Sequence, residues 1–240
     1  MERLSFFVGI TANIISVLMF LSPIKTFWRI IKHRSTEDFE NLPYICSLLS
    51  SSLWTYYGII TPGEFLVAPM SAFGAVLETI YVALFLLYAP TKMRVKTIVL
   101  VGILDVGFLA ATFLVAQLVL QGEMRINTIG FLSAALNVIM YVSPLAAMKT
   151  VVRTKSVEFM PFLLSFFFVL NAGIWTLYAF LVGDYYFLGV TNGAGFVLGI
   201  AQLVLYGIYR RPKPLINVSA NHHHRILEEG WQRQSLITPN

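Results

Sequence analysis

"LWTYYG", residues 53–58, returns 121 residues later as "IWTLYA", residues 174–179, with Trp on Trp, Thr on Thr and Tyr on Tyr. The same offset carries "FLSPI" (20–24) onto "YVSPL" (141–145) and "SAFGAVL" (71–77) onto "NGAGFVL" (192–198). It also places Ser35 and Glu37 on Ser156 and Glu158, Gly9 on Gly130, and Tyr88 on Tyr209. Shared apolar composition would scatter Leu and Val matches, whereas matched Trp, Pro and Gly in order mean duplication.

The duplicated unit is built for lipid. The 240 residues are 57% hydrophobic and 12% charged, with mean hydropathy +0.74, against about 25% charged in soluble domains. Apolar runs of about 20 residues, the length that crosses a bilayer core of about 30 Å, recur seven times. They fall near 5–28, 44–61, 66–89, 97–120, 127–148, 161–182 and 186–209. Runs this continuous satisfy their backbone as helices and not as barrel strands. The second, "YICSLLSSSLWTYYGII", is short and serine-rich, and needs shielding by its neighbours.

Three spans per repeat is an odd number, so a directly appended copy would insert upside down. The fourth span restores the orientation and gives parallel repeats, an arrangement that puts a substrate site near mid-membrane between them. The fold expected is therefore an all-α membrane protein of seven transmembrane helices in a 3+1+3 order. Residues 5–89 form the first repeat, 90–125 the linker helix, 126–210 the second repeat and 211–240 a polar, disordered cytosolic tail.

The net charge of +5 reports topology and not a nucleic-acid partner. Lys25, Arg29, Lys32 and Arg34 end the first span; Lys92, Arg94 and Lys96 join the third and fourth. Lys149, Arg153 and Lys155 follow the fifth, and Arg210, Arg211 and Lys213 the seventh. Alternate loops hold little beyond Arg3 and Arg125. The positive-inside bias then puts the N-terminus outside or luminal and the C-terminus in the cytosol. The single Cys46 forms no intrachain disulfide. The opening apolar run lacks a convincing cleavage site and reads as a retained helix.

Polar residues at equivalent depths should face the shared pseudo-axis. Ser16 pairs with Asn137, Ser50 with Asn171 and Ser71 with Asn192, every first-repeat member a serine and every second-repeat member an asparagine. Trp54 and Trp175 stand one turn beyond Ser50 and Asn171 on the same face, and Met19 and Met140 one turn from Ser16 and Asn137. Interhelical hydrogen bonding, about 0.6 kcal/mol each on average, is the competing account of the serines and asparagines. Amides suit adjacent hydroxyls, and an indole face suits the C–H side of a sugar ring. Together they describe a cavity for an uncharged polyhydroxy ligand.

Pro23 and Pro144 occupy equivalent positions inside spans one and five; Pro43 and Pro161 open spans two and six. These four read as hinges on the cytosolic side or, for Pro43 and Pro161 especially, as helix-start residues. Tyr57, with Tyr178, and Asp184 lie at the opposite ends of their spans as a candidate gate, although Asp184 also suits a turn in "VGDYY". Glu78 and Asp105 are the acids within spans and are functional suspects by default, as a proton or gating group or as structurally paired side chains. No cofactor motif, metal-ligand spacing or nucleophile–base pair is found, so an enzyme is not expected. His33 is placed in a loop and His222, His223 and His224 in the tail.

"SPIKTFWRIIKHRSTE", "LPYICSLLSSSLWTYYG", "SPLAAMKTVVRTKSVEFMPF" and "TNGAGFVLGIAQLVLYGIY" together resemble the SWEET sugar transporters over essentially residues 5–211. "TFWRI", "SSSLWTYYGI" and "TPGE" resemble a plant subgroup associated with the vacuolar membrane and with hexoses, fructose especially. The resemblance implies bidirectional, gradient-driven sugar passage by alternating access, without a cofactor. It implies a pocket of Asn192, Ser71, Trp54, Trp175, Ser50, Asn171, Ser16, Asn137, Met19 and Met140, hinges at the prolines, and a gate of Tyr57 and Asp184. The vacuolar membrane is favoured over the plasma membrane; the implied partners are a mono- or small oligosaccharide and the lipid bilayer, with homo- or hetero-oligomers open.

The chain departs from that family in four places. Ser71-Ala72 stands where Asn-Gly or Asn-Ala is usual, Pro69 precedes it, and Thr191 replaces a Pro before Asn192. The Asp184–Asn192 spacing is one residue longer than usual. A proton-coupled amino acid exporter using Glu78 or Asp105, a seven-helix receptor and a non-transporting assembly partner are the other readings. Against the receptor stand the duplication, the absence of a disulfide pair and the lack of a lysine in span seven.

Overall fold

A computed structural model describes residues 2–36, 39–157, 160 and 162–210. Pro161, Glu37, Glu158, the tail histidines and the expected tail over 211–240 lie outside the described residues.

The described chain is helical throughout. In order come α1 (Glu2–Leu21), α2 (Ile24–His33), α3 (Leu42–Ile60), α4 (Val67–Tyr88), α5 (Thr91–Val101), a π segment (Gly102–Phe108), α6 (Leu109–Leu118), α7 (Gly122–Met140), α8 (Val142–Thr154), α9 (Phe162–Val182), a second π segment (Tyr185–Gly189) and α10 (Val190–Tyr209). They make seven rods, because α1–α2, α5–α6 and α7–α8 each continue one span and the second π segment runs into α10. Six rods are long and apolar enough to cross a membrane by length and composition; α3, with its serines, is the one that does not reach that threshold. The linker span starts at Thr91 and not near residue 97, since "TKMRVK" continues the helix as a polar first turn.

Proline sets the breaks. α1 stops at Leu21 and Pro23 caps α2, with the Phe27 amide donating to the Pro23 carbonyl. The second repeat breaks at the matching depth, where Tyr141 separates α7 from α8 and Pro144 sits in the first turn of α8. There its missing N–H costs no intrahelical bond. Pro43, in the first turn of α3, is a helix-start residue by the same argument. Even the backbone exits repeat: α2 ends on Arg34 with φ 51° and α8 on Lys155 with φ 55°, left-handed conformations that side-chain-bearing residues adopt uncommonly.

Packing exchanges partners between the repeats. Within each repeat the second helix lies on the third, α3 on α4 and α9 on α10; across repeats α1 packs on α9 and α3 on α7. The first helix of each repeat therefore leans on the second helix of the other. The linker span covers α3 from outside, with Leu109 against Leu49 and Leu53 and the Gln117 amide donating to the Tyr56 hydroxyl at 2.9 Å.

Candidate functional site: a cavity between the repeats

The exchanged packing brings the matched polar residues into two equivalent circuits. Ser16 donates to Oδ1 of Asn171 at 2.6 Å, and the Trp175 indole N–H donates to Oγ of Ser16 at 2.9 Å. Related by the repeat, Ser50 donates to Oδ1 of Asn137 at 3.0 Å, and the Trp54 indole donates to the same oxygen at 3.4 Å. Both indoles are 7% exposed, and each meets a tyrosine edge-on, Trp54 with Tyr57 at 5.3 Å and Trp175 with Tyr178 at 5.4 Å. Ser16, Ser50, Asn137 and Asn171 thus do both things weighed in the sequence: they border the cavity, and they cross-link the repeats.

The cavity, about 440 Å³, is lined by the expected Ser71, Asn192, Met19 and Met140 along with those circuits and Pro23, Pro43 and Pro144. Asn192 answers the cost of its burial only in part. One amide hydrogen goes to the Leu188 carbonyl one turn back, at 2.9 Å, which leaves its carbonyl to the cavity. Ser71 stands on α4, the equivalent of α10.

Glycine lets aromatic rings approach the third helix of each repeat. A Cβ on Gly74 would lie 2.4 Å from Cζ of Phe20, and one on Gly195 would lie 2.8 Å from Oη of Tyr141. Phe20 and Tyr141 are equivalent, and both line the cavity. "FLSPI" and "YVSPL" carried this signal, an aromatic ahead of each kink, and the sequence reading passed over it.

At one end the cavity is shut. The Tyr57 hydroxyl donates to Oδ2 of Asp184 at 2.7 Å, while Oδ1 of Asp184 accepts the amides of Phe187 and Leu188 at 3.1 and 3.3 Å. Tyr178, the mate of Tyr57, donates to the Gly63 carbonyl at 3.3 Å. Tyr57, Tyr178 and Leu188 are buried. At the other end Pro43 is exposed and Pro23 and Pro144 are half-buried, so the cavity opens on the proline side.

Three of the four departures from the family pattern have local explanations, and the structure gives none for Ser71-Ala72. The second π segment, where the Gly189 amide bonds the Asp184 carbonyl five residues back at 2.9 Å, takes up one extra residue. Asp184 still reaches Tyr57 and Asn192 still lines the cavity. Thr191 donates its hydroxyl to the Phe187 carbonyl, and its own carbonyl accepts the Tyr141 hydroxyl. Pro69 lies in the first turn of α4, where it is tolerated.

Two acids separate. Glu78 lines the cavity; Asp105 sits in the π segment of the linker span, both its oxygens buried without a partner among the described residues, and is not among the cavity's lining. A third acid went unnoticed in the sequence. Glu64, in the loop joining α3 to α4, is 2% exposed, and burial, with Asp184 nearby, pushes its carboxyl up to about 8. "TPGE" reads as a solvated turn, so nothing local announced it.

A family model described as "Sugar efflux transporter for intercellular exchange" matches the chain twice, over residues 6–93 and 127–214. "Bidirectional sugar transporter SWEET17" of Arabidopsis thaliana is 57% identical over 216 residues, 90% of this chain and 89% of that protein. "Bidirectional sugar transporter SWEET16" of the same plant is 54% identical over 217 residues, 90% of this chain and 94% of its own length. A eukaryotic SWEET transporter solved at 3.7 Å superposes with a TM-score of 0.81 at 39% identity, over 86% of this chain and 96% of that one.

Proposed function

We propose, from the premise that this chain belongs to the MtN3/SWEET family of bidirectional sugar transporters, that it is a gradient-driven facilitator of monosaccharides such as fructose or glucose, working by alternating access. It is an integral, multi-pass membrane protein and not an enzyme; what the proposal adds is the sugar, the site and the direction it faces. The observation that supports it most is a cavity of small-molecule size walled by two indoles and lined by Ser71 and Asn192, shut at the Tyr57–Asp184 end and open at the prolines.

In this reading the sugar's apolar face lies on Trp54 and Trp175, whose edges are locked by Ser16 and Asn137, and its hydroxyls meet Asn192 and Ser71. Met19 and Met140 narrow the space, which favours one ring over two. Breaking the Tyr57–Asp184 bond while the kinks at Pro23 and Pro144 straighten would expose the site to the other side. The basic residues at the proline end, among them Lys25, Lys92, Lys149 and Arg210, support a cytosolic position for that end by the positive-inside bias. The N-terminus is then luminal, with the vacuolar membrane favoured.

The test is a panel of labelled fructose, glucose and sucrose in proteoliposomes, in both directions and with a protonophore. Hexose flux both ways, indifferent to the protonophore and faster than sucrose flux, is expected. Sugar flux that collapses with the proton gradient, or amino acid flux without sugar flux, would replace the facilitator with a coupled exporter.

A further inference from the structure

The Ser16, Ser50, Asn137 and Asn171 side chains commit hydrogen-bonding capacity to one another and to the two indoles. Among the other groups lining the cavity, Asn192 and Ser71 retain capacity for a ligand, and a third stands out. The third is Glu78. It is 4% exposed, lines the cavity, and its Oε2 is buried without a partner among the described residues. A carboxyl group left like this in a polar cavity is costly unless a transient partner satisfies it.

Its position gives the partner. Ser71 and Glu78 are seven residues apart on α4, two turns along one face and about 10 Å apart in height. Between them lies Gly74, onto which the Phe20 ring is pressed. Across the cavity Tyr141 presses on Gly195 in the same way. An aromatic collar thus divides the cavity along its length, with Asn192, Ser71 and the indoles on one side of it. Glu78 lies on the proline side, with Tyr44, which also lines the cavity and is within electrostatic reach of that carboxyl. The Tyr44 ring is held edge-on by Phe27 and Tyr81, and the Tyr81 hydroxyl is already given to the Phe20 carbonyl at 2.9 Å. The repeat offers no second copy, because Gly199 is the equivalent of Glu78 and a Cβ there would meet Val169 at 2.5 Å.

We infer that Glu78 and Tyr44 form a second hydroxyl-binding station for the sugar, between the aromatic collar and the mouth, where it rests on its way between the central site and the proline side. The carboxyl group bridges neighbouring hydroxyls of a neutral monosaccharide, and the Tyr44 hydroxyl supplies a further donor. The station exists on one side of the membrane only. It rests on the reading of the central site as a monosaccharide site.

Glu78→Gln and Tyr44→Phe keep size and shape. Equilibrium binding of labelled fructose or glucose, and zero-trans KM measured with sugar presented at each side in turn, are followed for both variants, for Asn192→Ala and for the unmodified protein, with thermal melts alongside. Glu78→Gln is expected to weaken binding roughly tenfold and Tyr44→Phe roughly threefold. KM should rise for sugar at the proline side and change by less than about twofold at the other. A structural role would move the melt and both KM values together. Unchanged binding in Glu78→Gln, with Asn192→Ala impaired, removes the station and leaves the central site standing; no hexose binding by the unmodified protein removes both. Should Glu78→Gln fail to fold, unchanged binding in Tyr44→Phe alone overturns the station.

Discussion

At mid-depth the two repeats interlock through equivalent positions: Ser16 donates to Asn171 and Ser50 to Asn137, and each indole donates, within its own circuit, to the member that comes from the other repeat. Towards either end the equivalence fails. Tyr57 meets a carboxylate at 2.7 Å where Tyr178 meets a backbone carbonyl at 3.3 Å, and Glu78 stands where the other repeat has Gly199. Between these, Ser71 and Asn192 occupy equivalent positions and line one cavity. The contrast separates what duplication preserves from what a transporter must vary. Cross-links that hold the two halves in register can be symmetric, whereas a gate and a mouth belong to different sides of a membrane and gain nothing from matching.

The largest blow to the shared middle should come from Asn192→Ala, which removes the amide facing the cavity and leaves the cross-links untouched. Sugar flux is expected to fall below detection while the protein still reaches its membrane; full flux would take Asn192 out of the site.

That middle was largely legible in the sequence, for a physical reason. Trp, Pro and Gly at matched positions are hard to exchange without changing a wall, a kink or a close approach, so "LWTYYG" and "IWTLYA" kept their correspondence. Equivalence is not contact, however. The offset showed that Ser16 matches Asn137, but the hydrogen bond runs from Ser16 to Asn171, because only the exchanged packing of α1 on α9 decides who meets whom. Glu64 was invisible for a related reason: its burial is imposed by elements distant in sequence.

The ends are best compared by removing single hydroxyls. Tyr57→Phe loses a bond to a carboxylate, about 1.5–3 kcal/mol, and Tyr178→Phe a bond to a neutral carbonyl, about 0.5–1.5 kcal/mol. A thiol-reactive probe at a cysteine introduced on the closed side should therefore label Tyr57→Phe at least about tenfold faster than the unmodified protein. Tyr178→Phe should show a smaller change; equal acceleration would make the two tyrosines equivalent after all.

Acid adds a finer distinction. The carboxyl of Glu64 is raised from 4.5 to about 8 in the folded chain, so between those values the folded state holds a proton that the unfolded state releases. Stability must then fall as pH rises through that window. Thermal melts from pH 4.5 to 8.5 should decline more steeply for the unmodified protein than for Glu64→Gln, and parallel slopes would show that Glu64 is solvated.

The smallest effect is expected from Ser71→Asn, which makes one of the three serine–asparagine positions symmetric. Hexose flux should hold or rise by up to about threefold, the gain of a fraction of one neutral hydrogen bond. A strong loss would mean that the site has been rebuilt around serine.

The π segment at Tyr185–Gly189 bears on how this chain is counted against others. In an α-helix each residue advances the azimuth by about 100°, so one added residue would send every later side chain to a different face. By bulging out, the extra residue is dropped from the count, and Asn192, Gly195 and Gly199 keep the azimuths of a chain without it. Position numbers measured from Asp184 therefore run one ahead of the geometry, and those measured back from Tyr209 do not. Beside a helix without such a bulge, the second count is the one that lines up the cavity-facing side chain of Asn192.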